Sequence, residues 1–122
     1  MNTPCWLQIL EHTADEGIRV TGPTRQAVFE RAAWGMFSLL TDLDTVTPSS
    51  QWGVEVTGDT DEALLVAWLS ELNVMHQLQR IVFSSFQVRS CTDGHLTAVV
   101  FGENYDPRRH PLHTEIKAVT YC

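Results

Sequence analysis

Cysteine is scarce in this 122-residue chain, and long apolar runs are missing altogether. Cys5, Cys91 and Cys122 are odd in number and far apart, which argues against a disulfide framework and against a Cys-type zinc site. A reducing cytosol is therefore the expected compartment. No apolar stretch approaches the ~20 residues that a membrane-spanning helix needs, so no membrane partner is expected. The opening residues, Met1-Asn-Thr-Pro-Cys-Trp6, lack the basic region and apolar stretch of a secretion signal. Basic residues are few: eight Lys and Arg stand against fifteen Asp and Glu, a net charge of −7. Nonspecific nucleic-acid binding depends on Lys and Arg neutralising phosphates, so this balance disfavours a broad RNA-binding face. It suits a metal cation or a basic protein partner, or serves solubility alone. A glycine-rich phosphate loop and a serine nucleophile elbow are also missing.

Hydrophobic content is 43%, and the length suits one domain with a real core. Trp6 to Leu10 reads as a first strand. Ile18 and Val20 alternate with Arg19 and Thr21 in a second, half-buried strand that Gly22-Pro23 ends. Thr24 can cap a helix in which Val28, Ala32, Met36 and Leu40 recur every fourth residue beside Phe29, Ala33 and Phe37. Gly35 within it costs helix propensity and permits close packing. Asp42 to Ser50 reads as a loop, and Val54 and Val56 flank Glu55 in a short strand. Asp59 with Glu62 has the form of a capping box for a second helix, whose apolar stripe is Leu64, Leu65, Trp68, Leu69, Leu72 and Met75. Ile81–Ser90 and Leu96–Phe101 flank Thr92-Asp-Gly-His95, a hairpin signal. Ile116–Tyr121 reads as the last strand. The order β-β-α-β-α-β-β-β predicts an α+β fold, with two helices packed on one face of a largely antiparallel sheet in two layers.

Two polar islands are candidates for chemistry. In Glu11-His-Thr-Ala-Asp15, Asp15 offers a hard oxygen for Ca²⁺ or Mg²⁺, and His12 could bind a softer metal or order the loop. Thr13 and Asp15 equally suit local turn hydrogen bonds, the commoner use of such residues. One carboxylate cannot supply the ~6–8 oxygens that Ca²⁺ takes, so further ligands must come from elsewhere. In Asp106-Pro-Arg-Arg-His110, Asp106 before Pro107 starts a turn. Arg108, Arg109 and His110 form the one tight basic cluster of an acidic chain. Arginine's fork suits a nucleotide phosphate or an acidic partner, but Arg109 or His110 could as well tie this loop to a neighbouring Asp or Glu. Asp42-Leu-Asp44 lacks the glycine and terminal glutamate of a calcium loop, and its carboxylates sit poorly at a helix C-terminus. His76 reads as structural and His95 as a turn residue.

Glu11-His-Thr-Ala-Asp15 with Gly17-Ile-Arg19, and Gly102-Glu-Asn-Tyr-Asp-Pro-Arg-Arg-His-Pro-Leu112 with Lys117-Ala-Val-Thr-Tyr121, resemble the archease family. Thr41-Asp-Leu-Asp44 and Trp68-Leu-Ser-Glu-Leu72 lie between them, and the resemblance runs from Leu10 to Tyr121. It implies a small cytoplasmic accessory protein, not an enzyme, that assists an RtcB-type RNA ligase in tRNA splicing. It implies promotion of ligase guanylylation and of repeated turnover, with tRNA and GTP met only through the ligase. A divalent metal is implied as cofactor, Ca²⁺ foremost with Mg²⁺ or Mn²⁺ as alternatives, held by Asp15 and by acidic and main-chain oxygens of the family's C-terminal end. Glu11, His12, Asp106, Arg109 and His110 are the accompanying site or partner-facing candidates. There are departures. The chain stops at Cys122, where the family continues into a further strand, so residues 1–122 are expected to form a single archease-like domain without that strand. His113 stands where Lys is common, and Glu16 where an apolar residue is common. Two rival readings are a stand-alone metal-dependent nucleotide or phosphoester hydrolase, and a general chaperone-like modulator of RNA-modifying proteins.

Overall fold

The computed structural model describes residues 3–11, 16–116, 118 and 119, with the side chains of Glu11 and Glu16 excepted. β1 (Leu7–Glu11) and β2 (Glu16–Val20) form an antiparallel pair in which Ile9 opposes Ile18. α1 (Arg25–Leu40) starts at Thr24, whose hydroxyl accepts the Ala27 amide at 3.1 Å. This is the expected N-cap, satisfying one of the donors a helix start leaves open. A single 3-10 turn, Leu43–Thr45, lies in the following loop. Next come β3 (Ser50–Thr57), α2 (Asp61–Gln79), β4 (Ile81–Thr92) and β5 (His95–Asn104).

The α+β class holds, with two helices and antiparallel strands throughout. The strands divide into two sheets among the described residues, β1-β2 and β3-β5-β4. The final expected strand is not formed at its described residues: Ile116, Ala118 and Val119 have no regular structure, while Lys117, Thr120 and Tyr121 lie outside the description. The residues around it explain this. The Ile116 carbonyl accepts from the Asn73 and Gln77 side chains of α2, so the chain there is tied to a helix and not to a ladder. The cap of α2 is also displaced by one residue from the expectation. Thr60, not Asp59, accepts the Ala63 amide at 3.0 Å, and Glu62 is thereby the second helical residue. Asp59 and Thr60 are both good caps, and Thr60, with the extended backbone of a capping residue, takes the position.

The core lies between the helices and one face of the three-stranded sheet. Phe29, Ala33, Phe37 and Leu40 of α1 and Leu64, Trp68 and Leu72 of α2 join Val54, Leu96, Ala98, Val100, Phe83 and Phe86 in one cluster. Phe37 meets Phe83 edge-on at 5.2 Å between ring centres, and the buried Trp68 indole donates to the Phe29 carbonyl at 2.9 Å, pinning α2 to α1. β4 keeps its apolar residues inward despite a broken period of two. Bulges between Phe83 and Ser85, and between Val88 and Ser90, each insert one residue. Inward positions therefore pass from Ile81 and Phe83 to Phe86 and Val88, then to Cys91. Asp93 and Gly94, both at positive φ, close the β4–β5 hairpin in the sense that matches strand twist. That makes His95 the first residue of β5, where its ring donates to Glu55 on β3 at 2.6 Å. Gly35 has the close-packing role read from the sequence: a Cβ there would come within 2.9 Å of both Leu7 and Ile18, so its absence lets the β1–β2 hairpin rest on α1.

Candidate functional site

The second polar island is a strap. It leaves the end of β5, turns at Asp106–His110 and crosses the end of α1. Its turn is built locally. The Asp106 carboxylate accepts the Arg108 amide at 2.9 Å, and the Asp106 carbonyl accepts the amides of Arg109 and His110. The His110 side chain is fully buried. Its Nδ1 faces the Asp106 amide at 2.8 Å, and an amide can only donate, so Nδ1 accepts and the proton sits on Nε2. Nε2 then donates to Glu103 at 2.8 Å.

Glu103, near the end of β5, is the hub. One carboxylate oxygen takes the His110 proton and the Thr47 amide, the latter at 2.8 Å. The other takes the Arg109 guanidinium at 2.9 Å. Arg109 reaches on to the Thr45 carbonyl and the Thr47 hydroxyl. The loop after α1 is thereby clamped to the strap. A second clamp lies beyond it: the His113 amide donates to the Leu40 carbonyl at 2.8 Å, and its ring donates to Asp42 at 2.9 Å.

These contacts supply the internal tie that the basic cluster could make. Arg109 and His110 tie the loop internally to an acidic residue, and Asp106 is occupied by its own turn. Arg109 remains half-exposed, so its outer edge can still meet a partner. Glu103, Thr45, Thr47 and the Asp42–His113 pair complete the arrangement, and sequence reasoning did not single them out as site residues. Glu103 was visible as the acid beside the cluster, and its odd position on β5 put it on the face away from the core. His76 is structural, as expected: Nδ1 donates to the Ile81 carbonyl at 2.8 Å across the α2–β4 junction.

The Arg109 hydrogen bond holds the Glu103 carboxyl down at about 2, with help from the Thr47 amide and His110 and against the opposing effect of burial. The same hydrogen bond raises the Arg109 guanidinium above its ordinary value. Because the Glu103 value is depressed on folding, its contribution is fully present above the unfolded value of 4.5 and is lost as pH falls towards 2. Acid unfolding is expected to show this directly. Urea midpoints for the wild-type protein should fall through that window, and Glu103→Gln should flatten this part of the profile. A parallel fall in both proteins would remove Glu103 as the cause.

His12 and Asp15 lie outside the described residues, as does the side chain of Glu11. The expected meeting of the two islands at one end of a sheet therefore concerns residues outside the description. Among the described residues no group of three or more His, Cys, Asp or Glu is placed to hold a metal ion. They do not by themselves make a cation shell. No helix among them is long and apolar enough to cross a membrane.

A domain of this architecture, with a charged strap closing over the end of its first helix, has close counterparts among known proteins. The model of the Archease protein family (MTH1598/TM1083) matches residues 7–122, so the chain belongs to the archease family. The protein archease of Methanopyrus kandleri is 41% identical over 119 residues, covering 95% of this chain and 84% of that protein. That of Methanosarcina mazei is 41% identical over 118 residues, covering 93% and 81%. The solution structure of protein 1598 of Methanobacterium thermoautotrophicum superposes with a TM-score of 0.81 at 35% identity, covering 95% of this chain and 84% of that one.

Proposed function

We propose that this protein is an accessory factor of an RtcB-type RNA ligase in cytoplasmic tRNA splicing. It binds the ligase and promotes its guanylylation and repeated turnover. It meets tRNA and GTP only through the ligase and performs no catalysis of its own. The observation that carries this reading is family membership over residues 7–122, a span that takes in both polar islands. The acidic balance of the chain supports it, since a net charge of −7 complements a basic RNA-handling partner. Within this proposal the strap is a rigid platform. Glu103, His110 and Thr47 hold it against the loop after α1, and the half-exposed guanidinium of Arg109 is presented at a fixed place. Pre-set geometry of this kind reduces the ordering cost of association.

The proposal includes a divalent cation, Ca²⁺ foremost with Mg²⁺ or Mn²⁺ as alternatives, for which Asp15 supplies a hard carboxylate. When bound it would contribute positive charge to an acidic protein. With one carboxylate and water making up most of the shell, affinity is expected to be weak. Calorimetric titration with Ca²⁺ and Mn²⁺ checks this apart from any activity: Asp15→Asn should weaken binding by about tenfold or more, given the charge dependence of such sites. Undiminished binding in that variant would remove Asp15 from the ligand set. The function itself is tested by measuring guanylylation of a cognate ligase with and without this protein, as set out in the Discussion.

A further inference from the structure

The outer side of β4 is not used by the strap. Among the described residues β4 pairs only with β5, which leaves its other edge to be satisfied by other means. Three side chains of α1 do this over part of its length. Glu30 accepts the Val88 amide at 2.7 Å, Gln26 donates to the Arg89 carbonyl at 3.4 Å, and Arg25 donates to the Cys91 carbonyl at 3.4 Å. Covering an edge in this way prevents unwanted strand pairing. The cover stops at Val88. Backbone groups alternate sides along a strand, and no bulge separates Phe86 from Val88, so the Phe86 amide and carbonyl point outward like the Val88 amide. No described residue bonds to them.

Beside this uncovered stretch lies a cleft of about 220 Å³, lined by Trp6, Glu30, Arg31, Trp34, Ser84 and Phe86, together with Ser85. Trp6 and Trp34 meet edge-on at 5.4 Å, and the Arg31 guanidinium lies 5.2 Å over the Trp6 ring. The arginines gather here too. Arg31 is in the cleft, and Arg25 and Arg89 stand along the same edge, three of the eight Lys and Arg in the chain. The local charge is thus opposite to that of the protein as a whole. Glu30 is engaged by the Val88 amide, and among the described residues Arg25 alone of the three has a carboxylate partner, the exposed Asp61 at 3.5 Å.

We propose that this edge is a docking site for an extended acidic segment of a partner protein, which adds to β4 at Phe86 and seats a bulky apolar side chain in the Trp6–Trp34 cleft. Main-chain hydrogen bonds give such strand addition its affinity, and alternate side chains give it specificity. The arginines along this edge favour acidic residues on the segment. A second copy of this chain fits less well, because edge-to-edge pairing would set arginine against arginine. Single-stranded nucleic acid also fits less well. Base stacking needs a bare ring face, and Arg31 covers one face of Trp6. The inference does not rest on the ligase reading.

The test uses ¹⁵N-labelled protein and a capped heptapeptide, Glu-Val-Glu-Phe-Glu-Val-Glu. Three comparison probes accompany it: the lysine counterpart, a version N-methylated at its central residues, and oligouridylate. The acidic peptide should slow hydrogen exchange of the Phe86 amide by about tenfold or more, as expected for an amide newly bonded in a ladder. The lysine and N-methylated peptides should bind at least about tenfold more weakly, one through charge and the other through lost donors. Trp34→Ala should weaken the acidic peptide by about tenfold, with its fold checked by circular dichroism. Unchanged exchange at Phe86 at saturating acidic peptide would overturn the proposal. So would equal binding by the lysine or N-methylated peptide, protection of the same amide by oligouridylate, or dimerisation through β4 in sedimentation. The peptide comparisons use the wild-type protein, so they decide the matter even if Trp34→Ala fails to fold.

Discussion

Gly102→Ala is expected to lower the unfolding free energy by about 3 kcal/mol or more, the range in which forced overpacking of a core element falls. Gly102 sits on the inward face of β5 opposite Phe83, beside the inserted residue of the first β4 bulge. A Cβ there would run into the Val82 carbonyl oxygen and come within 2.9 Å of the Phe83 Cα. Both are backbone atoms of the neighbouring strand, so no side-chain rotation relieves the clash. The strands must separate, and β5 is the central strand of the three-stranded sheet, so the strain falls on its ladder with β4. The damage should extend one residue further. Glu103 follows directly, and its placement sets the Arg109, His110 and Thr47 contacts of the strap. Urea unfolding followed by circular dichroism and by the fluorescence of the buried Trp68 gives the measurement. A loss below about 1 kcal/mol, the size of an ordinary surface substitution, would mean that the strands yield without cost. Gly53→Ala is the comparison. It is on the same sheet, its Cβ would meet nothing within 4 Å, and it should be close to neutral.

The protein alone should neither hydrolyse GTP nor join RNA, while raising guanylylation of a cognate RtcB-type ligase by roughly tenfold or more, the scale of a coupling free energy of ~1–3 kcal/mol between bound partners. The argument combines membership of the archease family with a chain that carries no phosphate loop and no serine nucleophile elbow. Asp15→Asn should remove most of the stimulation with the fold intact by circular dichroism. Glu103→Gln should reduce it by loosening the strap, and here the fold must be followed in parallel because the carboxylate also stabilises the domain. The assay adds ligase, GTP and divalent metal to each variant and follows the covalent ligase–GMP adduct, then counts turnovers on cleaved tRNA. A version extended by a family-like C-terminal strand belongs in the same experiment as a control. Unchanged adduct formation and turnover with that version under metal-replete conditions would refute the accessory reading. Hydrolysis of GTP by the protein alone, lost in Asp15→Asn, would support the hydrolase reading in its place.

A shared cause links these expectations. The strap and the core are one mechanical unit, because Asn73 and Gln77 of α2 hold the Ile116 carbonyl while Leu40 and Asp42 at the end of α1 hold His113. Loosening one end of this segment should propagate to the other. The contribution of exposed pairs such as His113–Asp42 is small by itself, about 0–1 kcal/mol. The fully buried His110 is different, since removing its partner leaves a desolvated ring nitrogen with no acceptor.

Local chemistry was enough to place most of the elements. The four-residue recurrence from Val28 to Leu40 and the stripe from Leu64 to Met75 mark the core faces of both helices. Thr24 marks the start of α1 through a hydrogen bond three residues away, and Asp93-Gly94 marks the hairpin because both positions take positive φ. Such signals are legible because each depends on neighbours in the chain. Which of Asp59 and Thr60 caps α2 was not legible locally, because both residue types are good caps. Nor were the division of the strands into two sheets and the bulges that re-aim β4 after Phe83 and Val88. The sequence showed that Arg109 and His110 stand close to acidic groups, and it left open whether they face a partner or the protein. Only the tertiary structure supplies their internal contacts. Folding brings Thr45 and Thr47 to a strap more than sixty residues away and removes His110 from water. Once buried, an imidazole must spend both nitrogens on internal partners, because the cost of leaving either unpaired exceeds what any loose external contact returns.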